Sequence, residues 1–125
     1  MAAALLICFA CMFWMKAVNG VVFAAGAVGA IVAENASIAG ASGGCQAETG
    51  AAAAMAAAAL AQMKGAAPEV SLTAAAIALK NCMGLVCDPV GGLVECPCIK
   101  RNAIGVANAV LSCDLAMAGD RKSVV

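Results

Sequence analysis

Ala51-Ala52-Ala53-Ala54-Met55-Ala56-Ala57-Ala58-Ala59 decides the fold class. Alanine is the strongest intrinsic helix former and is depleted in strands, so this run predicts a helix. No polar residue interrupts it, and a helix apolar all round is expected to be buried on every side. The segment extends over 45–64, with Gly65 as its stop. Upstream, Gly40-Ala41-Ser42-Gly43-Gly44 reads as a turn. Before it, 2–18 and 21–39 read as two helices parted at Asn19-Gly20. Downstream, Pro68-Glu69 opens a further helix, with proline at the first position and a carboxylate beside the positive end of the dipole. Leu72, Ala76, Leu79 and Met83 recur in it at helical spacing as the expected core stripe, Ser71, Lys80 and Asn81 lie off it, and Gly84 ends it. Residues 85–97 form an irregular stretch rich in Gly, Pro and Cys, and a last helix is expected over 97–118 with Gly119 as its cap. The expectation is an all-α fold with one Gly/Pro/Cys-rich loop.

A chain of 125 residues makes at most one domain. Hydrophobic residues are 65% of it and charged residues 11%, against about 25% charged in an ordinary soluble domain. Disorder is thereby excluded, since it needs low hydrophobicity and high charge. Alanine fills 34 positions, and such small side chains leave flat apolar faces. A bundle this short cannot bury them all, so part of the surface is expected to pack against protein outside the chain. Seven basic residues balance seven acidic ones without a basic stripe, which argues against nucleic acid as a partner. Histidine and tyrosine are absent, which removes the commonest general base and every His-containing zinc site.

The uncharged runs 1–15 and 17–33 are split by Lys16, and both fall short of the roughly 20 apolar residues that span a bilayer. No basic residue precedes the first run, so it is a poor signal peptide. The reading is a pair of helices buried in a larger, cytoplasmic protein without a membrane partner, and the alternative is a small membrane protein built on the first 33 residues. Eight cysteines could pair, but disulfide scaffolds are loop-rich and short of core, whereas this chain is helical. Free thiols or metal ligands fit better. Cys45, Cys87 and Cys98 lie beside backbone-permissive residues, and Cys45 and Cys98 fall at the expected first turns of helices. Unpaired N–H groups and the dipole favour a thiolate there. A buried anionic cluster needs such surroundings, and Gly91-Gly92 would let backbone approach it. Inert buried cysteines remain the bland alternative. Cys8, Cys11, Cys82 and Cys113 are assigned to it, with Cys96 left open. Zinc is disfavoured, because the Cys8-x2-Cys11 pair lies inside an apolar helix.

Glu34-Asn35-Ala36-Ser37-Ile38-Ala39-Gly40-Ala41 and Gly44-Cys45-Gln46-Ala47-Glu48-Thr49-Gly50 resemble the α domain of the iron–sulfur L-serine dehydratases, or L-serine ammonia-lyases. So does the run from Gly84-Leu85-Val86-Cys87-Asp88-Pro89-Val90-Gly91-Gly92 through Leu93-Val94-Glu95-Cys96-Pro97-Cys98-Ile99-Lys100-Arg101-Asn102-Ala103. The resemblance is strongest over residues 19–119. It implies a [4Fe-4S] cluster held by three cysteines, which match Cys45, Cys87 and Cys98. The fourth iron then stays open as a Lewis acid for the hydroxyl of L-serine, which is deaminated to pyruvate and ammonia. It also implies a partner, a β domain or β subunit, and an oligomeric complete enzyme, of which these residues are expected to be a truncated part. Lys100 stands where the family usually carries an acid, and Cys82 where it carries His or Asn. Rival readings are β-elimination from another small amino acid, such as cysteine desulfidation, and a non-catalytic remnant.

Around the expected ligands, Glu34 and Glu48 are the acidic candidates, each more readily a structural partner than a base. Asp88 is expected to cap the turn that follows it. Asn35, Ser37 and Asn102 fit either substrate or buried backbone. The catalytic base and the substrate contacts carry no signature in the sequence.

Overall fold

The computed structural model describes residues 2–87, 91 and 95–120. The readings made of Asp88 and Gly92, and the side chains of Cys8, Cys11 and Cys96, lie outside the described residues. Four long helices carry the chain, α1 (Ala2–Asn35), α3 (Ala51–Met63), α4 (Pro68–Asn81) and α5 (Glu95–Met117). A short helical turn, α2 (Gly40–Cys45), and a wide π-type turn, Gln46–Gly50, lead into α3. No strand occurs among the described residues.

The helix stops fall where glycine was expected. At the end of α3, Gly65 takes φ 79°, and its N–H and that of Ala66 reach back to the carbonyls of Gln62 and Ala61. Gly119 closes α5 in the same manner. These are left-handed caps that satisfy orphan carbonyls.

Asn19-Gly20 does not break the first helix, contrary to expectation. α1 runs unbroken for 34 residues because Gly20 keeps a helical conformation and sits beside the Gln62 side chain. Contact with α3 overrides the low propensity of a lone glycine. Further along, a Cβ at Gly29 would stand 2.9 Å from Met55 Cε, so its bare backbone is what lets α1 seat on α3. The continuous helix also carries Val18–Asn35 past Glu34, a stretch long and apolar enough to cross a membrane. Only 6% of that stretch is buried, so the expected buried helix is instead largely exposed. Val28 is the residue through which α1 joins the core packed on α3.

α3 is the central helix, flanked by α1, α4 and α5. Ala54, Ala57, Ala58 and Ala61 meet Ala74, Ile77 and Ala78 of α4, and Ala109, Cys113 and Ala116 of α5. Burial is not complete on every side, because Ala52 and Ala56 face outward. The largest side chains under 2% exposed are Cys113 and Ser112, so this core is made of close backbone approach rather than bulky hydrophobes.

Many of the large apolar residues lie outside. Phe23 is 80% exposed and Ile99 70%, and Ile104, Val106 and Leu111 of α5 are exposed as well. Of the expected α4 stripe, Leu72 and Met83 are exposed while Ala76 and Leu79 are half-buried, Leu79 against the core, and Ser71, Ala74, Ala75, Ile77 and Ala78 face inward. Helical spacing marked the larger residues, but the positions between helices this close are taken mostly by alanine-sized side chains, with Ile77 and Val28 the larger exceptions. Apolar surface on this scale is characteristic of an interface.

Candidate metal centre

Gly44 sets the geometry of the site. Its φ of 67° and ψ of −163° bend the chain between α2 and the π-turn, a conformation that only glycine adopts without strain. A Cβ there would stand 2.9 Å from the Cys87 backbone nitrogen, so two distant segments meet at bare backbone. The next residues fasten the contact. Gln46 N–H donates to the Leu85 carbonyl at 3.2 Å, and Gln46 Oε1 accepts from Gly84 N–H at 3.0 Å. Cys45 therefore opens the helix that continues into α3, with the 84–87 segment lying across it.

α5 supplies the third wall. It begins at Glu95, two residues before the expected start at Pro97, and Cys98 still falls in its first turn. One turn further on, Arg101 reaches back. Its Nη1 donates to Cys45 Sγ at 3.0 Å and to the Val86 carbonyl at 2.8 Å.

Cys45, Cys87 and Cys98 line one cavity of about 460 Å³, together with Ile38, Ala39, Gly40, Ala41, Gly44 and Glu48. Cys45 is buried, Cys98 half-buried and Cys87 exposed. All three are free thiols. The Cys98 thiol is pushed above its ordinary value, first by burial, then by its hydrogen bond to Cys45 and by the negative charges that Cys45, Glu48 and Cys87 would carry. Glu48, the carboxylate on this wall, packs against Gly40.

The donor set suits a thiolate-bound iron–sulfur group, since soft sulfur ligands select such clusters. No group of three His, Cys, Asp or Glu among the described residues is arranged to grip a single ion. Thiols spread around a cavity are compatible with a polynuclear group, in which each thiolate takes a different iron.

The remaining candidates lie elsewhere. Glu34, at the end of α1, does not line the cavity. Asn35 donates to the Ile31 carbonyl, and Ser37 Oγ accepts from Ala39 N–H, so both serve the backbone. Asn102 lines a separate cavity of about 270 Å³ with Thr49 and Gly105. Cys82 and Cys113 are buried outside the site, and burial pushes both thiols up, with Asn108 partly offsetting the effect at Cys82.

Two residues escaped sequence reasoning. Arg101 follows Cys98 by one helical turn, a spacing that could have flagged it. Asn108 spans α4 and α5, donating to the Ala78 carbonyl at 2.9 Å and to Cys82 Sγ at 3.3 Å while accepting from Asn81 and Ser112. Nothing local in the sequence marks it. The larger cavity, about 520 Å³ between α1, α3 and α4, is walled by residues such as Phe23, Ile31 and Leu72 and holds none of the thiols.

A family model described as serine dehydratase alpha chain matches residues 2–125. The chain is 63% identical over 97 residues to a probable L-serine dehydratase, alpha chain, of Bacillus subtilis (strain 168), covering 78% of this chain and 32% of that relative. It is 57% identical over 97 residues to a probable L-serine dehydratase, alpha chain, of Latilactobacillus sakei, covering 78% and 46%. With the L-serine dehydratase, alpha chain, of Peptoniphilus asaccharolyticus it shares 56% identity over 92 residues, covering 74% and 32%. The chain thus spans between a third and a half of the length of these relatives.

Proposed function

The chain belongs to the serine dehydratase alpha-chain family, and on that premise we propose that it forms part of an L-serine ammonia-lyase, converting L-serine to pyruvate and ammonia. Cys45, Cys87 and Cys98 hold a [4Fe-4S] cluster in this reading. The observation that carries it is convergence, since three cysteines from separate segments line one cavity with no histidine in the chain to compete.

When bound, such a cluster supplies a Lewis acid for the substrate hydroxyl. The chain's own residues then have distinct tasks. The three thiols anchor, and three rather than four leave one position open to substrate. Gly44 gives the backbone room to close around the site. Ile38 and Ala39 form an apolar edge of the cavity, and Glu48 places a carboxylate on its wall.

The exposed apolar residues of α1, α4 and α5 support a partner, which the names of the relatives as alpha chains suggest is a β chain or β domain. These residues are then one part of a larger catalytic domain within an oligomeric enzyme. A reducing cytoplasm suits free thiols and an iron–sulfur centre.

The test is pyruvate formation from L-serine by the chain assembled with the rest of the enzyme. Activity is expected from the wild type and none from Cys87→Ser. Full activity of that variant would overturn the ligand assignment. Sulfide release from cysteine without pyruvate from serine would overturn the substrate.

A further inference from the structure

We propose that Arg101 is a positioning residue that clamps the Cys87 segment onto Cys45 and supplies a hydrogen bond to a ligand sulfur. The inference rests on the reading that these thiols hold an iron–sulfur cluster. Three cysteines on three separate segments make a site only if the segments are held together. Gly44 and Gln46 join the first two, and the π-turn meets α5 further along, where Thr49 packs on Gly105. Arg101 joins them from α5 itself, one turn after Cys98. A single nitrogen, Nη1, meets both Cys45 Sγ at 3.0 Å and the Val86 carbonyl at 2.8 Å. One side chain thereby links the helix of Cys98, the thiol of Cys45 and the peptide that precedes Cys87.

The residue type matters. A guanidinium is permanently charged and presents several donors in a rigid plane, so one head group serves a sulfur and a carbonyl together. Hydrogen bonds to ligand sulfurs are among the levers that set cluster potential, because they stabilise the more negative, reduced form. Groups that orient ligands typically change metal affinity by 10–100-fold when removed. Arg101 therefore has two separable effects, one on the loop without metal and one on the loaded centre.

Arg101→Met removes the donors while keeping length, and Arg101→Lys keeps a charge and a donor but loses the planar fork. In iron-free protein, hydrogen exchange over residues 84–87 is expected to speed up about tenfold or more in Arg101→Met, with helix content by circular dichroism unchanged. In the reconstituted enzyme, that variant is expected to show a more negative midpoint potential and about 10–100-fold weaker iron retention. Arg101→Lys should recover part of the potential and little of the loop protection. Unchanged exchange and unchanged potential in Arg101→Met would overturn the proposal. If the wild type binds no cluster, the functional reading fails, and the exchange measurement still decides whether Arg101 clamps the loop.

Discussion

Ala57, at the centre of α3, is 0% exposed and surrounded by other small side chains, whereas Cys87 stands exposed at the rim of its cavity. The first belongs to a core made by repetition, where any two helices can approach because almost nothing projects between them. The second belongs to a site made by exceptions, a non-helical glycine, a π-turn and an arginine reaching back from α5. Repetition gives stability that depends on volume. Exceptions give a geometry that depends on single backbone and side-chain identities. Changes in the core should therefore cost the fold, and changes in the site should cost the ligand first.

The sharpest way to break that division is to overfill the core. Ala57→Leu adds three carbons where there is no space, and overpacking of this kind costs about 3 kcal/mol at the upper end of its usual range. Urea denaturation of the assembled protein should show this loss. A near-neutral result would mean that the helices are less closely packed than described.

Gly44→Ala tests the site in turn. The substitution forces a side chain into a glycine-only conformation and against the Cys87 nitrogen, at a cost of about 2 kcal/mol. Iron retention should fall further than this stability loss explains, because the contact that fails is the one between two ligand segments. Equal iron content in mutant and wild type would argue against that contact.

Ser71→Ala should move in the opposite direction. Its hydroxyl is buried among alanines without a hydrogen-bond partner among the described residues. Removing an unsatisfied buried polar group should stabilise the protein by about 1 kcal/mol. A measured loss of stability would reveal a bond that the fold holds for Ser71.

The smallest effect is expected from pH. Burial raises the Cys82 and Cys113 thiols above the usual value of 9.0, so the folded protein keeps these protons longer than the unfolded chain. The unfolded state releases protons first, and stability therefore falls as pH rises. The contribution is whole below about pH 9 and is lost through the higher folded values. Chemical denaturation between pH 8 and about pH 10 should show the decline, and Cys113→Ala should flatten it.

How far the sequence could be read follows the same division. The alanine run gave the central helix, and Gly65 and Gly119 marked stops that depend only on local backbone chemistry, whereas α4 ends at Asn81, three residues before the expected Gly84. Asn19-Gly20 misled because the contact of Gly20 with Gln62 lies more than forty residues away in sequence. The Leu72–Met83 stripe misled because periodicity reports which side chains share a face, not whether that face meets the core. At the site, the resemblance singled out Cys45, Cys87 and Cys98, and the structure brings all three to one cavity, while the cluster they would hold belongs to the proposal. Arg101 was hidden because its bond to Cys45 spans 56 residues, and Asn108 because its bonds to Ala78 and Cys82 cross from α5 to α4 and its cap.

The central claim is that Cys45, Cys87 and Cys98 jointly hold a four-iron cluster. It is tested most directly by anaerobic reconstitution of the assembled protein, followed by iron and sulfide counting, beside the variant with all three cysteines changed to serine. The account predicts about four irons per chain and broad visible absorption in the wild type, and neither in the triple variant. Equal iron in both proteins, or a wild type that remains colourless with its partner present, would contradict it.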